Sequence, residues 1–164
     1  IIFALNYAPD GMIRKSPAMD NLVETSLNMG IVSLQEDRLS LAFLIRSNTS
    51  CGKDLLADKV TGFIRFLGGD VEYSSDYPAW EYRQDSPLRD TMVVAFKEVY
   101  GTEPEVAAIH AGLECGILSG KMPDVDFISF GPNVKDVHTP KETIEVASVE
   151  RSYNYLKAVL AKLK

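Results

Sequence analysis

Hydrophobic and polar positions follow two different rhythms along this chain. Leu39, Leu41, Phe43 and Ile45 recur at every second residue against Ser40, Ala42, Leu44 and Arg46, the period of a half-buried strand. That parity sets Arg46 on the more open face. Leu56, Val60, Phe63 and Leu67 are spaced by four, three and four, which is one face of a helix, and Gly68-Gly69 stops it. Gly62 inside that helix costs about 1 kcal/mol relative to alanine without breaking the pattern. Upstream, residues 1–6, opening with the apolar run Ile1-Ile2-Phe3-Ala4-Leu5, read as a strand entering the turn Pro9-Asp10-Gly11. Ser16-Pro17 then offers an N-cap and a first-turn proline, Gly30 a stop, and Leu22, Val23 and Leu27 an apolar face between them, so a helix is expected there. Residues 31–35 and 39–46 form two strands around Glu36-Asp37-Arg38, and residues 71–73 a last short one.

Strand, helix, strand, strand, helix, strand is the order of a ferredoxin-like βαββαβ lobe, an antiparallel sheet with both helices on one face. Residues 74–85, with Tyr77-Pro78-Ala79-Trp80, interrupt regular structure and predict a crossover to a second lobe. There a helix capped by Ser86-Pro87 carries Leu88, Met92, Phe96 and Val99 and ends at Gly101. Strand 105–109, a short helix around 113–118, strand 126–130 and a final helix with Val149, Tyr153, Leu156, Leu160 and Leu163 on its face complete the pattern. The expected class is therefore α/β: an α+β lobe closed by the strand at 71–73 and, beyond the crossover, an incomplete α/β lobe.

The chain has 164 residues, 46% hydrophobic and 24% charged, the balance of a globular protein rather than of a disordered tail. Asp plus Glu number 23 against 17 for Lys plus Arg, a formal charge of -6 that repels phosphate backbones and argues against nucleic acid. No apolar run approaches the ~20 residues of a membrane span, and no basic segment leads an apolar one as in a secretory signal. No membrane partner is expected, and the expected location is cytoplasmic. Cys51 and Cys115 lack metal-type or redox-type spacing and read as two buried thiols in a reducing compartment. The chain opens at Ile1 inside an apolar run, which predicts a piece of a longer protein whose sites are incomplete here.

His110 and His138 are the two histidines, each at a strand-to-loop transition, where ligands collect in α/β folds. In Val137-His138-Thr139-Pro140-Lys141-Glu142, Thr139 and Glu142 have capping-box spacing and Pro140 suits a first helical position. That accounts for Thr139, Pro140 and Glu142 structurally, yet the same rigid turn would fix the His138 imidazole, as a metal ligand requires. A zinc site takes three or four ligands, and this chain has no H-E-x-x-H or C-x-x-C pattern to supply them. Gly112, in His110-Ala111-Gly112-Leu113-Glu114-Cys115-Gly116, either makes a tight strand-to-helix turn or bares helix N-terminal amides to a carboxylate. Arg46 is either solvated or the guanidinium that grips the same carboxylate in a bidentate fork. No G-x-S-x-G, P-loop or dinucleotide fingerprint is present.

These stretches, with Phe130-Gly131-Pro132-Asn133 and Ser148-Val149-Glu150-Arg151, together resemble the C-terminal part of the aminoacyl-histidine dipeptidases. These enzymes, also called Xaa-His or cytosolic non-specific dipeptidases, belong to the carnosinase-like di-zinc metallopeptidases. Ile45-Arg46-Ser47 and Tyr77-Pro78-Ala79-Trp80 extend the resemblance over essentially the whole chain. It implies a parent with a two-zinc catalytic domain and an inserted lid that closes over the dipeptide substrate and forms a homodimer. Residues 1–75 then correspond to the later half of the lid and 76–164 to the end of the catalytic domain. His138 matches the last zinc ligand, and Arg46 and Gly112 match positions that bind the substrate carboxylate. His110, Glu114, Thr139 and Glu142 take supporting roles. The general base and the remaining ligands would lie in a segment absent here, so no catalytic residue is expected in the chain and it is expected to be inactive alone. The competing expectation is a non-catalytic ferredoxin-like module for amino-acid binding or dimerisation.

Overall fold

The alternation over residues 39–46 does form a strand, and it organises one end of the chain. The computed structural model describes residues 1–108 and 114–163. The chain runs α1 (Ile2–Tyr7), β1 (Gly11–Lys15), β2 (Val23–Leu34), β3 (Leu39–Ser47), α2 (Ser50–Phe66), α3 (Pro87–Tyr100), α4 (Glu114–Lys121), β4 (Val134–Lys135), β5 (Thr143–Ile144) and α5 (Val146–Lys162). It divides into two compact units, Ile1–Tyr82 with Ala108–Pro123, and Arg83–Ala107 with Asp124–Lys164.

The first unit is built on an antiparallel sheet of order β1-β2-β3. Leu27 faces Ile45 and Met29 faces Phe43 across the β2–β3 ladder. Leu27, Leu56 and Val60 are buried together, with Phe43, Ile45 and Ile64 packed on them, so α2 covers that face of the sheet. Arg46, Leu44, Ala42 and Ser40 lie on the exposed face, as the parity required.

Three expected elements of this unit take another form. The helix expected over residues 17–30 is the strand β2: Val23, Thr25, Leu27 and Met29 alternate with Glu24, Ser26 and Asn28, and the long pairing with β3 outweighs the helical spacing of Leu22, Val23 and Leu27. The β2–β3 register shifts between Met29 and Ile31, so Gly30 marks a bulge rather than a helix end. The apolar run at the start is the helix α1, with Ala4 buried and the Phe3 ring 6.4 Å from that of Phe63; an unbroken apolar run has no period to separate helix from strand. Residues 71–73 pair with no strand among the described residues. The mixed α/β class stands.

In the second unit α3 packs on α5. Met92, Ala95, Tyr155 and Val159 form its core, with Leu88, Phe96, Tyr100, Ile128 and Ala158 against it. The Tyr155 hydroxyl donates to the Met92 carbonyl at 2.8 Å, and burial, then neighbouring Tyr100, pushes its phenol above the ordinary value. Ser86 caps α3 by accepting the Arg89 N–H at 3.1 Å while donating to Asp126 Oδ2 at 2.6 Å. The apolar stripe expected to bury α5 is displaced: Tyr155 and Val159 turn inward, whereas Val149, Tyr153, Leu156, Leu160 and Leu163 are exposed. Residues 105–108 and 126–130, expected as strands, join no ladder among the described residues, and residue 109 lies outside them.

Candidate functional site

His138 sits in the loop of a hairpin whose stem is β4 and β5, with Val134 opposite Ile144 and Lys135 opposite Thr143. Asp136 and His138 both adopt left-handed backbone, at φ 53 and φ 65. A β-carbon makes that conformation costly, so the neighbours must hold it. Glu142 does so by accepting the His138 N–H on Oε2 at 2.8 Å. Thr139 donates its hydroxyl to the Asp136 carbonyl at 2.8 Å and accepts the Lys141 N–H at 3.2 Å. The His138 residue itself is exposed.

The capping-box expectation is corrected here. No helix begins at Thr139; α5 begins at Val146 with Glu145 as its N-cap residue. The Thr139 and Glu142 side chains bond to backbone as capping residues do, but inside a loop. Glu142 reaches the N–H of His138 rather than that of Thr139, which goes to the Asp136 carbonyl at 3.2 Å.

The hairpin is anchored to α5 by residues to which the sequence reading gave no role. Glu145 accepts Asn133 Nδ2 at 3.0 Å and Arg151 at 2.9 Å, and these two bonds, Asn133 first, lower its carboxyl below the ordinary value. Buried Ser148 accepts the Asn133 N–H at 2.8 Å and donates to the Glu145 carbonyl at 2.6 Å. Their signal was Asn133 and Ser148 standing either side of the His138 motif, but linking them takes the hairpin.

Arg46 belongs to the other unit, at the end of β3 opposite Ser26. The turn that follows it is tightly built. Thr25 Oγ1 and Ser47 Oγ are 2.9 Å apart, and the Thr49 hydroxyl caps α2 by accepting the Gly52 N–H at 3.2 Å. A Cβ on Gly52 would lie 2.6 Å from the Thr25 hydroxyl and 2.7 Å from those of Ser47 and Thr49, so these oxygens close on a position that only glycine fits. Glu114 opens α4 and is exposed. His110 and Gly112 lie outside the described residues. The structure thus gathers His138, Thr139 and Glu142 in one loop, while Arg46 and Glu114 fall in the other unit.

Among the described residues no three His, Cys, Asp or Glu side chains gather where they could hold a metal ion. Cys51 is exposed and Cys115 partly so, which corrects the expectation of two buried thiols. No helix among the described residues is long and apolar enough to cross a membrane.

The model of Peptidase family M20/M25/M40 matches residues 10–162. The cytosol non-specific dipeptidase of Escherichia coli (strain K12) is 31% identical over 159 residues, which are 97% of this chain and 33% of that protein. The aminoacylhistidine dipeptidase from Vibrio alginolyticus superposes with a TM-score of 0.87 at 33% identity, over 98% of this chain and 33% of that one. The aminopeptidase PepT from Bacillus cereus shares the fold, with a TM-score of 0.76 at 17% identity over 98% of this chain and 43% of its own. The chain spans about a third of the length of the two dipeptidases it matches.

Proposed function

Because the chain belongs to peptidase family M20/M25/M40, we propose that it is the C-terminal portion of a cytoplasmic zinc-dependent dipeptidase that hydrolyses Xaa-His and other dipeptides. In this reading residues 1–75 are lid and 76–164 the end of the catalytic domain. His138 supplies one zinc ligand, and Arg46 and Gly112 hold the substrate carboxylate. His110, Glu114, Thr139 and Glu142 support them. The exposed Ile31, Val32 and Leu34 at the far end of β2 suit a lid-to-lid homodimer.

One observation carries the reading: an exposed histidine is kept in left-handed backbone by a dedicated carboxylate. Backbone strain of this kind concentrates where a side chain must point in a fixed direction. The described residues supply one imidazole and no three-donor cluster, so they do not make a metal site by themselves. In this reading the remaining zinc ligands come from outside the described residues, and no chemical step is assigned to the residues present. What they offer is binding and orientation: a planar guanidinium at Arg46 that matches a carboxylate, and an imidazole aimed by its own loop.

Metal counting tests this. In a family-length enzyme carrying this chain, His138→Asn keeps a residue that tolerates positive φ, and it is expected to lose activity together with about one zinc per chain. Unchanged metal content and activity would overturn the assignment. The 164-residue chain with added zinc is expected to leave dipeptides intact, and turnover by it would refute its inactivity.

A further inference from the structure

Apolar side chains occupy two faces of α5, and α3 covers one of them. Tyr155 and Val159 turn toward α3 and are buried there with Met92 and Ala95. Val149, Tyr153, Leu156, Leu160 and Leu163, spaced by four, three, four and three, form a second stripe about a third of a turn round the helix. All five are exposed, Tyr153 at 61% and Leu160 at 55%. Glu150, Asn154 and Lys157 fill the remaining third, and the Lys157 ammonium, 5.6 Å from the Tyr153 ring centroid, marks the border between stripe and polar face. A helix covered on one side only is polar over the rest of its circumference. Polar on a single third, α5 has the sequence of a helix covered from two sides. Isolated exposed apolar residues are ordinary, but a continuous stripe along a whole helix marks a contact surface.

We propose that this outer stripe of α5 is a docking surface, and that its occupant is the part of the catalytic domain that a family-length chain carries outside these residues. The proposal rests on the reading of this chain as the C-terminal portion of such an enzyme. This chain spans 33% of each matched dipeptidase, so most of their length lies outside it. The same unit needs more than helix cover. Ile128 packs on the α3–α5 core and the Phe130 ring stands edge-on to Tyr155, with centroids 5.2 Å apart. Residues 126–130 nevertheless join no ladder among the described residues. Further catalytic-domain sequence supplies both an apolar layer for the stripe and strands for these backbone groups. A second copy is the weaker occupant, because it brings another bare stripe together with the same segments that join no ladder.

Thiol labelling tests the surface. Leu160→Cys stands on the stripe and Asn154→Cys on the polar face, and peptide mass mapping reads each site apart from Cys51 and Cys115. In the 164-residue chain both introduced thiols are expected to react at comparable rates. In a family-length enzyme carrying this chain, Leu160→Cys is expected to react at least about tenfold more slowly than Asn154→Cys, because a covered thiol reacts only when the surface opens. Tyr153→Cys repeats the measurement on the same stripe should Leu160→Cys fail to fold. Equal rates on stripe and polar face in the folded family-length enzyme would overturn the proposal. Protection of Leu160→Cys in the 164-residue chain that disappears on dilution would overturn it too, since a second copy would then be the cover. Dipeptide turnover by the unsubstituted family-length enzyme reads the proposed function separately: its absence sinks the dipeptidase reading and leaves a protected stripe standing.

Discussion

The Glu142 carboxylate accepts the backbone N–H of His138 at 2.8 Å, and the histidine it holds stands at φ 65. A side chain four residues on therefore fixes the backbone from which the imidazole projects. Glu142→Ala should release that backbone. With His138 as the zinc ligand proposed above, its cost in a family-length enzyme should fall between about 10-fold and 100-fold in metal affinity or activity, the range of outer-shell partners of metal ligands. Glu142→Gln, which keeps an acceptor oxygen, should retain most of the function. Equal loss in both variants would show that charge, not this bond, matters.

Glycines ten residues apart in α2 should respond to alanine with opposite signs. Gly52→Ala drives a methyl into three hydroxyl oxygens at 2.6 to 2.7 Å and should destabilise by about 1–3 kcal/mol, as overpacking does. Gly62 is exposed with no atom within 4 Å of a new Cβ, so Gly62→Ala should stabilise by about 0.5–1 kcal/mol. Urea unfolding of the two variants beside the parent chain checks both signs.

Ser86 serves two partners at once, capping α3 and donating to Asp126. Ser86→Ala leaves the Arg89 N–H uncapped and strips a buried donor from the carboxylate. A loss of about 1–2 kcal/mol is expected, read as a lower denaturation midpoint at constant m-value. Asp126→Asn should cost less than Ser86→Ala, because the amide oxygen still accepts from the hydroxyl.

Glu145 titrates below the ordinary carboxyl value of 4.5 because Asn133 and Arg151 bond its ionised form. The sign follows directly. A depressed folded-state pKa means a contribution present above the unfolded value and lost as pH falls through the folded one. Acidification below 4.5 should therefore loosen the anchor between the hairpin and α5. A carboxyl-carbon NMR titration should show Glu145 protonating at lower pH than an ordinary glutamate. Arg151→Met should bring its midpoint back up, with the Asn133 bond retaining part of the depression.

The chain's own pattern determined a good deal. Alternation over residues 39–46 placed Leu39, Leu41, Phe43 and Ile45 toward the helix and Arg46 on the open face, because side-chain direction in a strand depends on parity alone. The spacing of Leu56 and Val60 located α2, and Ser86-Pro87 with Gly101 located both ends of α3, because capping chemistry is local. The family motifs around His138 were legible for the same reason.

Tertiary structure decided what depends on partners distant in sequence. Residues 23–34 carry helical and strand spacings together, and the ladder with β3 selected the strand. Thr139 and Glu142 have the side chains of a helix start, but pairing of β4 with β5 enclosed them in a loop and moved the start of α5 to Val146. The face that α5 buries is set by contact with α3, whose Met92 carbonyl takes the Tyr155 hydroxyl, and not by its longest apolar stripe. Local pattern fixes which conformations a segment can adopt at low cost; contacts made across the chain choose among them, because only those bury the surface that offsets lost conformational entropy.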